Sequence, residues 1–275
     1  MKDISFGQYF PTKSFVHRMD PRVKLLLVIA YIVAVFLVGE FHFLGFAACF
    51  VFLVVAVVFS GVPFFKVLKS IKAVVFIVLL TAILQIFFNK NGNVLVTWSF
   101  ITITDNGLLS AGFITARIIL IVMGASLLTF TTSPVEIADG IESLMTPLKY
   151  IKFPVHEFAL IMSIALRFIP TLLEETDRII KAQKARGADF ESGNVFKRAK
   201  SLIPVLIPLL ISSFRRADEL ADAMDARCYA GSKNRTRYKK LKAGWRDLIG
   251  VLLLGGLITG VVFLNKFYLL LGGIV

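Results

Sequence analysis

Long apolar runs recur along the chain, and short polar stretches separate them. Because a helix rises 1.5 Å per residue and the hydrocarbon core of a bilayer is about 30 Å thick, a spanning helix needs roughly 20 apolar residues. The pattern therefore predicts about five membrane-spanning helices, and the fold class is predicted to be all-α, a polytopic helical membrane protein. The predicted spans fall within Leu25–Val38, Phe43–Phe59, Ala73–Phe88, Leu108–Phe130 and Leu248–Leu264.

Local signals mark where two of the helices begin. Asp20 followed by Pro21 is typical of an N-cap and a first helical residue, and it predicts the start of the first span. Ser133 and Glu136 have the spacing of a capping box. A shorter helix is therefore predicted to begin there and to end near Met145.

The region between the fourth and fifth spans has a different character. It carries many charged residues, yet 158–173 and 202–214 are nearly as apolar as the spans. Both stretches are too short to cross comfortably and are interrupted by prolines, so we expect helices in or under the membrane face. Long helices that start at Pro170 and Pro208 should continue them as charged arms. The predicted parts are a four-helix membrane part (1–131), about three cytoplasmic or interfacial coupling helices (132–246) and a last span (247–275).

Two related tripeptides follow the two predicted arms, namely Ala185-Arg186-Gly187 and Ala226-Arg227-Cys228. The last carbonyls of a helix lack intrahelical partners and carry the negative end of its dipole, so an arginine is favoured there. Its guanidinium can reach past the helix end and make forked hydrogen bonds to carboxylates or carbonyls of another protein. Small flanking residues would let that protein approach closely. The alternative is a pair of ordinary C-terminal arginines, with Gly187 as a helix stop.

Composition and charge indicate the protein class and its orientation. Hydrophobic residues make up 57% of the chain, which contains 26 phenylalanines, so it is predicted to be an integral membrane protein. The lead-in before the first span is basic, and the region from 131 to 246 holds 20 of the 31 Lys and Arg residues. Both are predicted to face the cytoplasm. The polar, turn-rich stretch 89–106 is predicted to be an external loop, and five spans place the C-terminus outside.

The sequence offers few groups for catalysis, metal binding or ATP binding. Cys49 and Cys228 lie far apart, and the three histidines are in separate segments, so neither a disulfide framework nor a metal site is predicted. No glycine-rich loop followed by Lys and Ser or Thr is present, so the chain is not expected to bind ATP. These observations predict a non-catalytic membrane subunit that binds no cofactor of its own.

Arg117 lies inside the fourth predicted span. A charge at that depth is costly unless it faces other helices and has a partner. One interpretation is a helix–helix hydrogen bond to neighbouring backbone or hydroxyl groups, and the other is a role in transport. The sequence alone leaves both open.

Several segments together carry a resemblance to a known family. The lead-in Ser14–Leu25, the two Ala-Arg-Xaa tripeptides and the step Thr131–Pro134 resemble the transmembrane (T) component of energy-coupling factor (ECF) transporters, the EcfT/CbiQ family. The similarity extends over essentially the whole chain. The order and spacing of these segments make it specific, although each one alone is common.

The resemblance implies a mechanism and a set of partners. In this family, two ATP-binding-cassette (ABC) ATPases bind ATP and Mg²⁺ on the cytoplasmic face, and a small membrane S component captures a vitamin or metal. Two coupling helices of the T component cross, and each terminal arginine docks in a groove of one ATPase. By matching positions, Arg186 and Arg227 are the implied docking residues, and their neighbours are close-packed flanks. Because Cys228 stands where the first arm has Gly187, we expect the second arm to fit its groove a little differently, which is consistent with two non-identical ATPases.

Other functions remain as alternatives. A self-contained channel or secondary transporter would need ionisable residues at mid-membrane and paired repeats of spans, whereas a membrane enzyme would need a cluster of catalytic groups. The chain shows only Arg117 and the repeat of the arms. Within the family, a dedicated cobalt or nickel transporter subunit is the alternative to a T component that serves vitamin importers.

Overall fold

The computed structural model describes residues 9–272 except 13, 40–41, 90–91, 99–100, 191–193, 230, 232–240 and 242. The described part is mainly helical and contains one small β-hairpin, so the predicted all-α class is confirmed. The elements are α1 (Pro21–Leu37), α2 (Phe43–Ser60), α3 (Phe64–Ser70), α4 (Val75–Phe88), β1 (Val94–Trp98), β2 (Ile101–Thr104), α5 (Asp105–Thr131), α6 (Pro134–Leu144), α7 (Val155–Ala185), α8 (Val195–Ser201), α9 (Ile203–Asp225) and α10 (Trp245–Gly272).

The chain divides into two compact units. Met1–Ser143 and Leu241–Val275 form the first unit, and Leu144–Lys240 forms the second. The first unit contains α1 to α5, nearly all of α6, and α10, whereas the second contains α7, α8 and α9.

The first unit is built around a narrow apolar core. Helices α1, α2, α5 and α10 pack together, and α4 lies along α5. Many large apolar side chains outside this core are exposed, which is the arrangement expected of helices that face lipid. The core includes Val35, Cys49, Leu53, Met123 and Val261.

Among the described residues, four helices are long and apolar enough to cross a membrane, namely α2, α5, α7 and α10. A fifth span is formed if Phe64–Ala73 and Val75–Phe88, which are bent by 63°, are counted as one. Helix α1 occupies the first predicted span and has 17 residues, one fewer than α2. The prediction of a polytopic membrane protein is confirmed. Helix α7 was not among the predicted spans, and its apolar first half continues directly into a charged second half.

The predicted helix starts at Asp20 and Ser133 are present. The Asp20 Oδ1 atom accepts a hydrogen bond from the Arg22 backbone N–H at 2.9 Å, and Pro21 is the first residue of α1. At the start of α6, the Glu136 N–H donates to Ser133 Oγ at 3.3 Å, while the Ser133 N–H donates to Glu136 Oε2 at 3.2 Å. This reciprocal pair is a capping box.

The stretch predicted as an external loop contains a β-hairpin. Strands β1 and β2 pair antiparallel, with Trp98 opposite Ile101 and Val94 opposite Thr104. Turn residues flank these segments, but the Val, Ile and Thr residues between them favour strands because their branched side chains suit an extended backbone.

Two predicted helix starts are wrong, because Pro170 and Pro208 lie inside helices. Helix α7 has 31 residues and contains Pro170, and α9 has 23 residues and contains Pro208. A proline inside a helix removes one hydrogen bond and costs about 3 kcal/mol, yet a long helix that packs along a partner can offset that loss. The two arms are thus the continuations of longer helices.

The contact between α1 and α5 depends on a glycine. An added Cβ at Gly124 would lie 2.6 Å from Cε1 of the buried Tyr31, whereas one at Gly112 on the same helix would meet nothing within 4 Å. We expect Gly124→Ala to destabilise the first unit by about 1–3 kcal/mol. Gly112→Ala should be neutral or stabilising by up to about 1 kcal/mol.

Thermal unfolding of the two purified variants in detergent measures this difference. Equal unfolding midpoints for Gly124→Ala and Gly112→Ala would contradict the assigned contact between α1 and α5.

Candidate functional site

The first arm ends in a Schellman motif. Arg186 is the C-cap of α7, and Gly187 follows it in the left-handed region at φ +88°. The Gly187 N–H donates to Lys184 O at 3.0 Å, and the Ala188 N–H donates to Gln183 O at 3.0 Å. These two bonds satisfy carbonyls that the helix end would otherwise leave unpaired.

The second arm ends in the same way. The Cys228 N–H donates to Asp225 O at 2.9 Å, and the Tyr229 N–H donates to Met224 O at 3.1 Å. Cys228 has a φ of +56°, so it occupies the place of Gly187. Arg227 is therefore at the position that Arg186 holds in the first arm. The repeat seen in the sequence is also a repeat of backbone geometry.

The ends of both arms are exposed on the surface of the second unit. Arg186 and Arg227 are exposed, as are their small neighbours in both tripeptides. Across the described residues, neither guanidinium has a hydrogen bond or ion pair. A Cβ at Gly187 would meet nothing within 4 Å, so glycine suits that position because of its backbone conformation.

The two arms meet at equivalent points. Arg216 of α9 donates to the carboxylate of Glu175 on α7 through its Nη2 atom, and Ser212 Oγ donates to the other carboxylate oxygen at 3.2 Å. Glu175 lies 11 residues before Arg186, and Arg216 lies 11 residues before Arg227. Arg186 and Arg227 are thus each about 16 Å along their helix from the contact.

Arg117 of α5 binds the end of α1. Its Nη2 atom donates to Val38 O at 2.9 Å, and Val38 is the C-cap of α1. The guanidinium also lies 5.6 Å from the ring centre of Phe46 and 6.0 Å from that of Phe36. A cation is favoured at a helix C-terminus and over aromatic faces. These contacts are the ones expected from the helix–helix interpretation.

The sequence analysis missed a buried polar cluster in the first unit. Lys24 is buried, and its ammonium donates to His17 O and Thr131 O at 3.1 Å and to Thr132 Oγ1 at 3.4 Å. Such contacts join the lead-in, α1 and the end of α5. The sequence signal that could have revealed this cluster is a lysine in the second turn of an apolar helix.

A buried carboxylate completes that region. Asp247 Oδ1 accepts from the Asp20 N–H at 2.8 Å, and Asp247 Oδ2 accepts from the Gly244 N–H at 2.7 Å. This side chain therefore ties the start of α10 to the start of α1. The sequence signal for this contact is the position of Asp247 in the first turn of an apolar helix.

Comparisons with known proteins identify the family. The family model CbiQ, described as a cobalt transport protein, matches residues 12–238, which include the lead-in and both tripeptides. The chain belongs to the EcfT/CbiQ family. It is 51% identical over 253 residues to the energy-coupling factor transporter transmembrane protein EcfT of Clostridium kluyveri, covering 92% of this chain and 93% of that protein.

Similar proteins occur in other bacteria. The EcfT protein of Acidaminococcus fermentans is 49% identical over 270 residues, which cover 98% of this chain and 96% of the relative. That of Bacillus subtilis is 45% identical over 241 residues, with 88% and 90% covered. The resemblance inferred from the sequence is confirmed. The chain is a multi-pass transmembrane component of an ECF transporter.

The left-handed conformations of Gly187 and Cys228 predict how substitutions there change the stability of the two helix ends. A non-glycine residue in that conformation costs about 1–2 kcal/mol, so Gly187→Ala should weaken the end of α7 and Cys228→Gly should strengthen that of α9. Hydrogen exchange of the amides at 187–188 and 228–229 measures both effects. Exchange should be faster in the first variant and slower in the second. Changes of the same sign would contradict the shared helix-end geometry.

Proposed function

We propose that the chain is the membrane scaffold of an ATP-driven importer of vitamins or other micronutrients. It would couple two ABC ATPases to a separate substrate-binding S component. The observation that carries this proposal is the pair of arms, whose equivalent ends each expose an arginine with no partner among the described residues. The family membership supports the same assignment.

Each arginine would enter a groove of one ATPase. A guanidinium without a partner in its own chain is suited to forked hydrogen bonds with carboxylates and carbonyls. Arg186 has Ala185 and Gly187 beside it, and Ala226 and Cys228 flank Arg227, so the partner backbone can approach closely. ATP and Mg²⁺ would bind to the ATPases, and this chain would bind no cofactor.

The contact between Glu175 and Arg216 would let the two arms act as levers. This contact is equally far along the helices from both docking arginines. A displacement of either ATPase would therefore rotate its arm about the same point. The arms would then carry the closure of the ATPases toward the membrane. Such a coupling needs rigid helices, and α7 and α9 are long and pack along each other.

The apolar faces of the arms would contact the S component. Several large apolar side chains of α7 and α9 are exposed in the second unit, and an exposed apolar surface of this kind is typical of an interaction site. Examples are Ile161 on α7 and Ile207, Ile211 and Phe214 on α9, which are 54–68% exposed. Lipid would cover this surface when the S component is absent.

The N-terminus and the arms would face the cytoplasm, and the C-terminus would lie outside. Basic residues support this orientation, because they favour the cytoplasmic side and anionic lipid. Lys66 and Lys69 lie on α3, and Lys72 lies in the following 3₁₀ turn, Ile71–Ala73.

A dedicated cobalt or nickel importer is the second candidate function. The description of the matching family model as a cobalt transport protein favours it. The names of the similar proteins refer instead to energy-coupling factor transporters without specifying a substrate. Identifying the S components that copurify with the chain after mild detergent extraction would decide between the two.

Removing both docking arginines tests the proposed function. We expect Arg186→Ala with Arg227→Ala to abolish ATP-driven uptake in proteoliposomes, because each lost contact should cost about 2–5 kcal/mol of binding free energy. Arg178→Ala, which removes an exposed arginine of α7 away from both ends, is the matched control. Normal uptake by a correctly inserted double variant would refute the docking assignment.

Reversing one charge tests whether each arm binds one ATPase. Arg227→Glu should weaken the attachment of one ATPase selectively, since it places a carboxylate where a guanidinium would enter the partner groove. The measurement is the amount of each ATPase retained on the purified variant. Equal loss of both ATPases would contradict the assignment of one arm to each.

A further inference from the structure

A cavity of about 610 Å³ lies between the first half of α7 and the end of α9, within the second unit. Arg227, the docking residue of the second arm, lines this cavity, and so does Arg167 of α7. Ser163 adds a hydroxyl group to the wall, and Leu160 and Met224 are among its apolar members. Two guanidiniums from different helices thus share one space.

These two cations have no counter-charge among the described residues that line the cavity. Both side chains are exposed, and within the described part of the chain neither makes an ion pair or hydrogen bond. None of the described residues that line the cavity is acidic. Like charges on one cavity repel each other, so an anion that entered would relieve the repulsion and gain two charge-assisted contacts.

The first arm lacks the same pair. Alignment of Arg186 with Arg227 matches Glu175 with Arg216, the residues that join the two arms. The same alignment places Pro208 opposite Arg167 and Pro204 opposite Ser163. Because proline has neither a charge nor an N–H donor, the position equivalent to Arg167 cannot hold an anion.

We propose that the cavity receives a carboxylate side chain of the ATPase that docks on the second arm, and that Arg167 and Arg227 bind it together. The apolar walls suit the aliphatic stem of an aspartate or glutamate, and the two guanidiniums suit its oxygens. This proposal rests on the proposed function. It adds Arg167 as a binding residue of the second arm, and the first arm has no equivalent because Pro208 aligns with Arg167.

A double-mutant cycle in the assembled transporter tests this site. The complex is reconstituted in nanodiscs, and the dissociation constant of the ATPases is measured for single-arm backgrounds. In the Arg186→Ala background, where only the second arm holds an ATPase, Arg167→Ala should raise the dissociation constant about tenfold. In the Arg227→Ala background, where the first arm holds the ATPase, the same change should have little effect. Arg178→Ala is the matched control in both backgrounds.

The outcomes separate this proposal from the function on which it rests. If Arg227→Ala weakens ATPase binding but Arg167→Ala does not, the shared carboxylate site is refuted and the docking function stands. If neither Arg186→Ala nor Arg227→Ala weakens binding, the docking function itself is refuted. If Arg167→Ala lowers retention of anionic lipid in nanodiscs and leaves ATPase affinity unchanged, the occupant is a lipid headgroup and the proposal is refuted.

A charge exchange supplies a positive test. Arg167→Glu should abolish binding to the second arm, and replacing the matching carboxylate of the ATPase with lysine should restore it. Scanning the acidic residues of the docking groove one at a time would find that partner. Failure of every such replacement to restore binding would refute the direct contact.

Discussion

The contact between Glu175 and Arg216 sets the geometry on which the proposed coupling depends. Both side chains are partly exposed, at 26% and 32%, and an ion pair of that kind adds little to stability. Its value lies in position, because it joins residues that correspond to each other in the repeated arms. Because the two helices meet at corresponding residues, their ends extend equally far from the contact. Ser212 also donates a hydrogen bond to the Glu175 carboxylate. The arms therefore form a symmetric frame.

The chemistry at the ends of that frame is less symmetric than the frame itself. Both helices close with the same pair of backbone hydrogen bonds, yet one uses Gly187 and the other tolerates Cys228 in a strained conformation. The neighbouring surfaces also differ, because Arg167 borders the second end and aligns with Pro208, which carries no charge. A duplicated helix can thus keep its backbone geometry and still present different side-chain chemistry at each end.

The sequence predicted the apolar segments of α2, α4, α5 and α10, two helix starts and the family, because these follow from local patterns, but it did not predict α7 as a span. Apolar length fixes a span, and Asp20 and Ser133 cap helices through near neighbours. Features that depend on tertiary contacts were missed. The helices through Pro170 and Pro208 continue because long packed segments can absorb a lost hydrogen bond. The partners of Lys24 come from the lead-in and the distant end of α5, and no local pattern reveals such a pairing.

The left-handed cysteine has a practical consequence. The chain contains two cysteines, of which Cys49 is buried in the core of the first unit while Cys228 is exposed beside Arg227. A thiol-reactive dye or spin label should therefore attach at one end of one arm without any engineered residue. The native protein therefore has a labelling site for spectroscopy next to a proposed docking arginine.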